Sequence, residues 1–149
     1  MRISQGGLAD VGEVARLLWL MADDGERSRT TDDDFTAELS RWWAAHQDSH
    51  AVFLARLADE TVGMAWVALL PRVPRPGLMG RTSADIQSVF VMPQHRGRGI
   101  GSALVNAAFD YAIGHGGVRV TVHSGSGSVP LYERLGFESS RQLLERAID

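Results

Sequence analysis

Three glycines, at positions 97, 99 and 101, follow a β-type run that ends at Val91 and lead straight into an apolar pattern of helical spacing. A strand, a glycine-rich turn and a helix start, in that order, make a phosphate cradle. Glycine lets backbone N–H groups come close to an anion, and the first helical turn adds unpaired donors and the positive end of the helix dipole. The spacing narrows the choice of phosphate. A nucleotide P-loop needs a Lys followed by Ser or Thr after its last Gly, whereas here Gly101 is followed by Ser102 and the chain contains no Lys. A dinucleotide fingerprint reads G-x-G-x-x-G, and Gly97-Arg98-Gly99-Ile100-Gly101 is one residue too tight for it.

The loop does match R/Q-x-x-G-x-G/A, as Arg96-x-x-Gly99-x-Gly101. A second motif follows one helix and one strand later: Pro130-Leu131-Tyr132-Glu133-Arg134-Leu135-Gly136-Phe137, which contains L-Y-x-x-x-G-F. Together and in this order the two motifs resemble the signatures of the GNAT superfamily of N-acetyltransferases.

The resemblance implies acetyl-CoA as cofactor, with its pyrophosphate held by Arg96, Gly97, Arg98, Gly99, Ile100, Gly101 and Ser102. Arg96 and Arg98 either add charge-assisted contacts or lie on a solvated face. The strand before the loop, at Val89, Phe90 and Val91, is expected to present backbone donors to the thioester carbonyl and to pair with the pantetheine arm. Tyr132 matches the family's general acid. A phenol near pKa 10 can protonate a thiolate leaving group of pKa about 8.5; the alternative is a Tyr packed beneath the cofactor. Asp85 matches the carboxylate some relatives use as general base; the alternative is a solvated strand-edge residue. Ser88 could orient a water, and His123, at the end of the following strand, is a further candidate base. The chain departs from the family at Gly125, where many relatives carry Asn. The Ser/Gly run from Ser124 to Ser128 is expected to supply those contacts instead, with Ser124 the candidate.

These residues need elements to hold them. Residues 1–4 suit a first strand, and Asp10 with Glu13 reads as a capping box for a helix bearing Val11, Val14, Leu18 and Met21. The run Asp23-Asp24-Gly25-Glu26 breaks that helix. Thr31 with Asp34 caps a second, with Phe35, Leu39 and Trp42 on one stripe. Of the adjacent Trp42 and Trp43, one is expected in the core and the other in a groove or solvent. Residues 51–56 and 62–70 read as a hairpin, and the prolines at 71, 74 and 76 make the next stretch a loop. A strand at 86–91 leads through the glycine loop to a helix at 100–113. Its inward residues are Leu104, Val105, Ala108 and Phe109, and Gly114 is its C-cap. A buried strand at 118–122, a helix at 129–135 and a last strand at 141–148 complete the order β-α-α-β-β-β-α-β-α-β. Propensity alone gives an α/β or α+β sandwich. The resemblance implies the GNAT fold, a mixed central sheet of six to seven strands flanked by helices, as one domain over residues 1–149.

Composition excludes other classes. A net charge of −3, with no basic run, does not favour nucleic acid. No apolar stretch approaches the roughly 20 residues of a membrane span, the N-terminus lacks a signal-peptide pattern, and the His residues lack metal-ligand spacing. With no Cys there is neither a disulfide framework nor a thiolate nucleophile. A cytoplasmic enzyme is expected, transferring an acetyl group to an amine by direct attack in a ternary complex. Protein N-terminal or lysine acetylation, a non-catalytic acyl-CoA-binding module, and O-acetyl transfer or a longer acyl donor are the alternatives. The expected acceptor is a small amine or a peptide terminus. Asp23, Asp24 and Glu26 would attract its ammonium and Arg72 and Arg75 would hold a carboxylate, unless all are solvated. A homodimer is expected from the resemblance and from a C-terminal strand free to pair at a sheet edge.

Overall fold

The computed structural model describes residues 1–148; Asp149 lies outside the described residues. Its strands are β1 (Arg2–Gln5), β2 (His50–Leu57), β3 (Glu60–Pro71), β4 (Thr82–Val91) and β5 (Gly117–Val122). Its helices are α1 (Val11–Met21), α2 (Asp24–Arg27), α3 (Asp32–Ala45), α4 (Ile100–Gly114) and α5 (Val129–Arg134). The strands form one mixed sheet in the order β1-β2-β3-β4-β5. Every neighbouring pair is antiparallel except β4 and β5, which run parallel with α4 as their crossover.

The two faces of the sheet are distinguished by side-chain alternation. On one face Trp66 of β3 meets Trp43 and Trp42 of α3, at ring-centroid distances of 5.2 and 6.1 Å. On the other, α4 buries Leu104, Val105 and Ala108 completely. Gly63 of β3 lies under that helix, where a Cβ would sit 3.0 Å from Leu104 Cδ1 and 3.1 Å from the Phe90 carbonyl. A side chain there would force Leu104 or the β4 backbone to give by a few tenths of an ångström. Truncating Leu104 to Ala would cost about 2–5 kcal/mol, as for other large-to-small changes in a close-packed core.

Several expectations change. The described sheet has five strands, not six or seven, and residues 141–148 form no strand. Leu143 and Leu144 are adjacent and both exposed, as is Ile148, so the segment has no alternating face to bury. β5 is therefore the sheet's edge among the described residues, and its Val118 is exposed rather than buried. The Asp10–Glu13 box does not form. Asp10 accepts from the Gly7 N–H instead, and both carboxylates bind Arg56 of β2, at 2.9 and 3.2 Å. The acidic run after α1 folds into its own short helix, α2. Phe109 faces outward and packs on Phe137, while Ala112 turns inward. The left-handed residue ending α4 is Gly116, φ +80°, rather than Gly114. The Thr31–Asp34 cap forms. Trp43 is the core residue of its pair and Trp42 the exposed one.

Candidate active site

The glycine loop takes the shape its composition allows. Gly97 and Gly99 have φ of +77° and +81°, in the region where any other residue is strained. Gly99 is the N-cap of α4. No side chain caps that terminus and no acid lies in its first turn, so its leading N–H groups are left for an external acceptor.

These groups face a cavity of about 620 Å³ lined by Val89, Phe90, Val91, Arg96, Gly97, Gly99, Ile100, Gly101 and Ser102, together with Ser128, Leu131 and Arg134. One wall is the end of β4. The β4–β5 ladder stops at Ile86↔Val122 while β4 continues to Val91. The strands part there, leaving one edge of β4 without a strand partner among the described residues. Arg96 fixes the corner between strand and loop: its Nε donates to the Val91 carbonyl at 2.8 Å and its guanidinium lies 5.4 Å from the Phe90 ring centroid. Of the residues expected to hold the cofactor, Arg98 and Ser124 do not line this cavity. Arg98 is solvent-exposed, and the Ser124 hydroxyl donates to the Gly125 carbonyl at 2.7 Å.

Ser128, the last residue of the Ser/Gly run, lines this cavity in place of Ser124, together with Leu131 and Arg134, which the motifs do not single out as contacts. They recur every third residue and so share the face of α5 turned to the loop; that spacing was the available signal. Tyr132 lies on another face of the helix, in a second cavity of about 410 Å³ between β5, α5 and residues 137–143, with Ser124 also in its wall. The Tyr132 ring packs on Phe137, 5.6 Å between centroids. Burial raises its pKa above the ordinary phenol value, which keeps the hydroxyl protonated and able to donate.

Asp85 projects on the α3 face of β4. Its Oδ1 accepts from Thr121 Oγ1 at 2.9 Å and its Oδ2 from Gln87 Nε2 at 3.0 Å. Ser88 breaks the strand's regularity, with φ +50° where the β3–β4 register slips. That conformation costs a non-glycine residue about 1 kcal/mol. It turns Ser88 into a third cavity, of about 300 Å³, with Leu18, Trp19, Met21, Ala22, Glu26, Arg27, Thr30 and Phe35. Adjacent residues of one strand, Ser88 and Val89, thus open onto different cavities. His123 is 83% exposed in its side chain, with Nδ1 3.8 Å from Glu145. The acids after α1 serve structure first: Asp23 and Glu26 cap α2 reciprocally and Asp24 pairs with Arg27 at 3.1 Å.

The profile of the acetyltransferase (GNAT) family matches residues 14–137. An uncharacterised N-acetyltransferase of Methanocaldococcus jannaschii is 33% identical over 110 residues, 66% of this chain and 45% of that protein. The glucosamine 6-phosphate N-acetyltransferase of Trypanosoma brucei brucei is 33% identical over 88 residues, 59% of this chain and 58% of that one. The matches thus span about half the length of these relatives. A predicted acetyltransferase of Clostridium acetobutylicum, solved with acetyl-CoA, superposes with a TM-score of 0.73 at 16% identity, covering 98% of this chain and 95% of that one. An unsatisfied helix start, a strand parted from its neighbour and the profile match over most of the chain lead to one assignment: the chain belongs to the acetyltransferase (GNAT) family.

Proposed function

We propose that the protein transfers an acetyl group from acetyl-CoA to an amine by direct attack in a ternary complex. The observation that carries this reading is the uncapped start of α4 opening onto the same cavity as the unpaired end of β4. The loop from Gly97 to Ser102 would hold the pyrophosphate through backbone N–H groups, and the free edge of β4 at Val89–Val91 would take the pantetheine arm and polarise the thioester carbonyl. Acetyl-CoA supplies the activated acyl group.

The amine would approach from the Ser88 side. Its nitrogen would bond to the carbonyl carbon as the C–S bond breaks, and the thiolate would take a proton from Tyr132, which requires the end of the pantetheine arm to pass from the loop cavity to the neighbouring one that Tyr132 lines. The attacking amine must lose its own proton, because an alkylammonium has a pKa near 10.4. Asp85 lies three residues from Ser88, about 10 Å along a strand, so a chain of waters rather than a single one would carry the proton between them. The second reading, a module that binds acyl-CoA without turnover, predicts no thiol release with any amine. A panel of amines with acetyl-CoA, followed by free-thiol release, decides between them. Turnover with at least one amine, lowered about tenfold or more in Tyr132→Phe with acetyl-CoA affinity kept, supports the reading. Unchanged turnover in that variant while chemistry limits the rate removes Tyr132 as the acid.

A further inference from the structure

On the α3 face of β4 and β5, Gln87 and Arg119 are exposed and Ser83, Asp85 and Thr121 half-buried, and Arg119 and Thr121 also line the Tyr132 cavity. Trp66↔Gln87 and Ala68↔Asp85 pair across β3 and β4, and Ser83↔Arg119 and Asp85↔Thr121 across β4 and β5. Ser83, Asp85, Gln87, Arg119 and Thr121 therefore share the α3 face, with the exposed Trp42 at its margin. At the start of β4 this face meets four arginines. Arg72 Nη1 donates to Ser83 Oγ at 3.1 Å, Arg81 Nη1 donates to the Val73 carbonyl at 3.1 Å, and the Arg72 N–H donates to the Arg81 carbonyl at 2.8 Å. The ion pairs among the described residues involve none of Arg72, Arg75, Arg81 and Arg119. The Arg81 guanidinium is pushed below its ordinary pKa, first by desolvation and then by the charges of Arg75, Arg72 and Arg119. Four like charges gathered with no ion pair among the described residues make a local positive field that an anion would relieve.

Distance determines what that anion belongs to. Ser83 and Ser88 are five residues apart on β4, about 17 Å at strand rise. The carboxylate of a free amino acid lies within about 4 Å of its amine, so these arginines cannot read it while the amine is at Ser88. An extended peptide covers the same distance in about five residues.

We propose that the α3 face of β4 and β5 is a track for a polypeptide acceptor, with the terminal amine at Ser88 and an acidic side chain about five residues later held by Arg72, Arg75, Arg81 and Arg119. The amine's position rests on the acetyltransferase reading above; the arginine contact does not. The test compares Ser-Ala-Ser-Ala-Ala-Glu-Glu with its Gln-Gln analogue and with an isomer carrying the acids at positions 2 and 3, all with free N-termini. At saturating acetyl-CoA the first peptide has a KM at least tenfold below the other two, with similar kcat. An Arg81→Gln/Arg119→Gln double variant, with folding checked by its thermal melt, loses that preference. Equal KM values in the parent, a preference that survives in the double variant, or turnover with small amines alone overturns the proposal. Fluorescence anisotropy of the same peptides, labelled at the C-terminus and titrated with protein plus CoA, reads the track without turnover. Tenfold tighter binding of the acidic peptide in the absence of any acetylation would keep the track and reject the enzymatic reading. Equal binding of all three peptides would reject the track.

Discussion

The starts of α2 and α3 and the start of α4 solve one physical problem in opposite ways. Each terminus exposes N–H groups that lack helical partners. At α2 the Asp23 side chain accepts from the Glu26 N–H at 2.7 Å. At α3 Thr31 accepts from the Asp34 N–H, and Asp32, Asp33 and Asp34 fill the first turn. Both are neutralised from within the chain. At α4 the cap is a left-handed glycine, the first turn carries no acid, and the donors face a cavity. The first two termini satisfy their donors within the chain, and the third leaves them facing a cavity.

The contrast breaks most sharply if α4 is given the chemistry of α3. Ser102→Asp places a carboxylate in the first turn of α4, where it competes with an external anion and repels it. Acetyl-CoA affinity should fall about 100-fold, roughly 2.7 kcal/mol, while the fold gains about 0.3–1 kcal/mol from the dipole. Calorimetry and a denaturant melt check the two halves, and a destabilised variant with unchanged affinity would break the comparison. Gly99→Val should weaken acetyl-CoA binding by tenfold or more, about 1.4 kcal/mol, because φ of +81° is strained for a β-branched residue. Unchanged calorimetric affinity in a folded variant would remove the loop as the pyrophosphate site.

The reverse change sharpens the same contrast. Asp23→Ala uncaps α2 and should cost about 1 kcal/mol of stability, with acetyl-CoA affinity untouched. The smallest effect lies beyond the other end of α3. His50 has a pKa lowered from 6.5 by desolvation and then by His46. A group with a depressed folded-state pKa supports the fold above its unfolded value and withdraws that support as pH falls through the folded one. Stability should therefore decline as pH drops below 6.5, and His50→Gln should flatten this part of the profile. Melts at pH 7.5 and pH 5.5 measure it.

The difference between these termini also marks what was legible in the sequence. The glycine loop is contiguous, so Gly97, Gly99 and Gly101 could be read as a candidate phosphate site from spacing, while the end of β4 entered only through the family resemblance. Ser128, Leu131 and Arg134 reach the same cavity only because α5 packs beside the loop, a tertiary fact. Asp10 and Glu13 fit a local capping box, but Arg56, more than 40 residues away, claims both carboxylates. The apolar run of β5 reads as a buried strand, yet whether a strand is central or at an edge depends on its neighbours. The positions of Arg72 and Arg75 could be read early. Their distance from the reacting amine could not, because it depends on where β4 starts and where it parts from β5.

The most direct test of the central claim follows backbone amide chemical shifts while acetyl-CoA is titrated into the ¹⁵N-labelled protein. The largest shifts should fall on the amides from Val89 to Val91 and from Gly97 to Ser102, with those at the starts of α2 and α3 unmoved. Saturation with the largest shifts at Asp24–Arg27 or Asp32–Asp34, and none in the glycine loop, would contradict it.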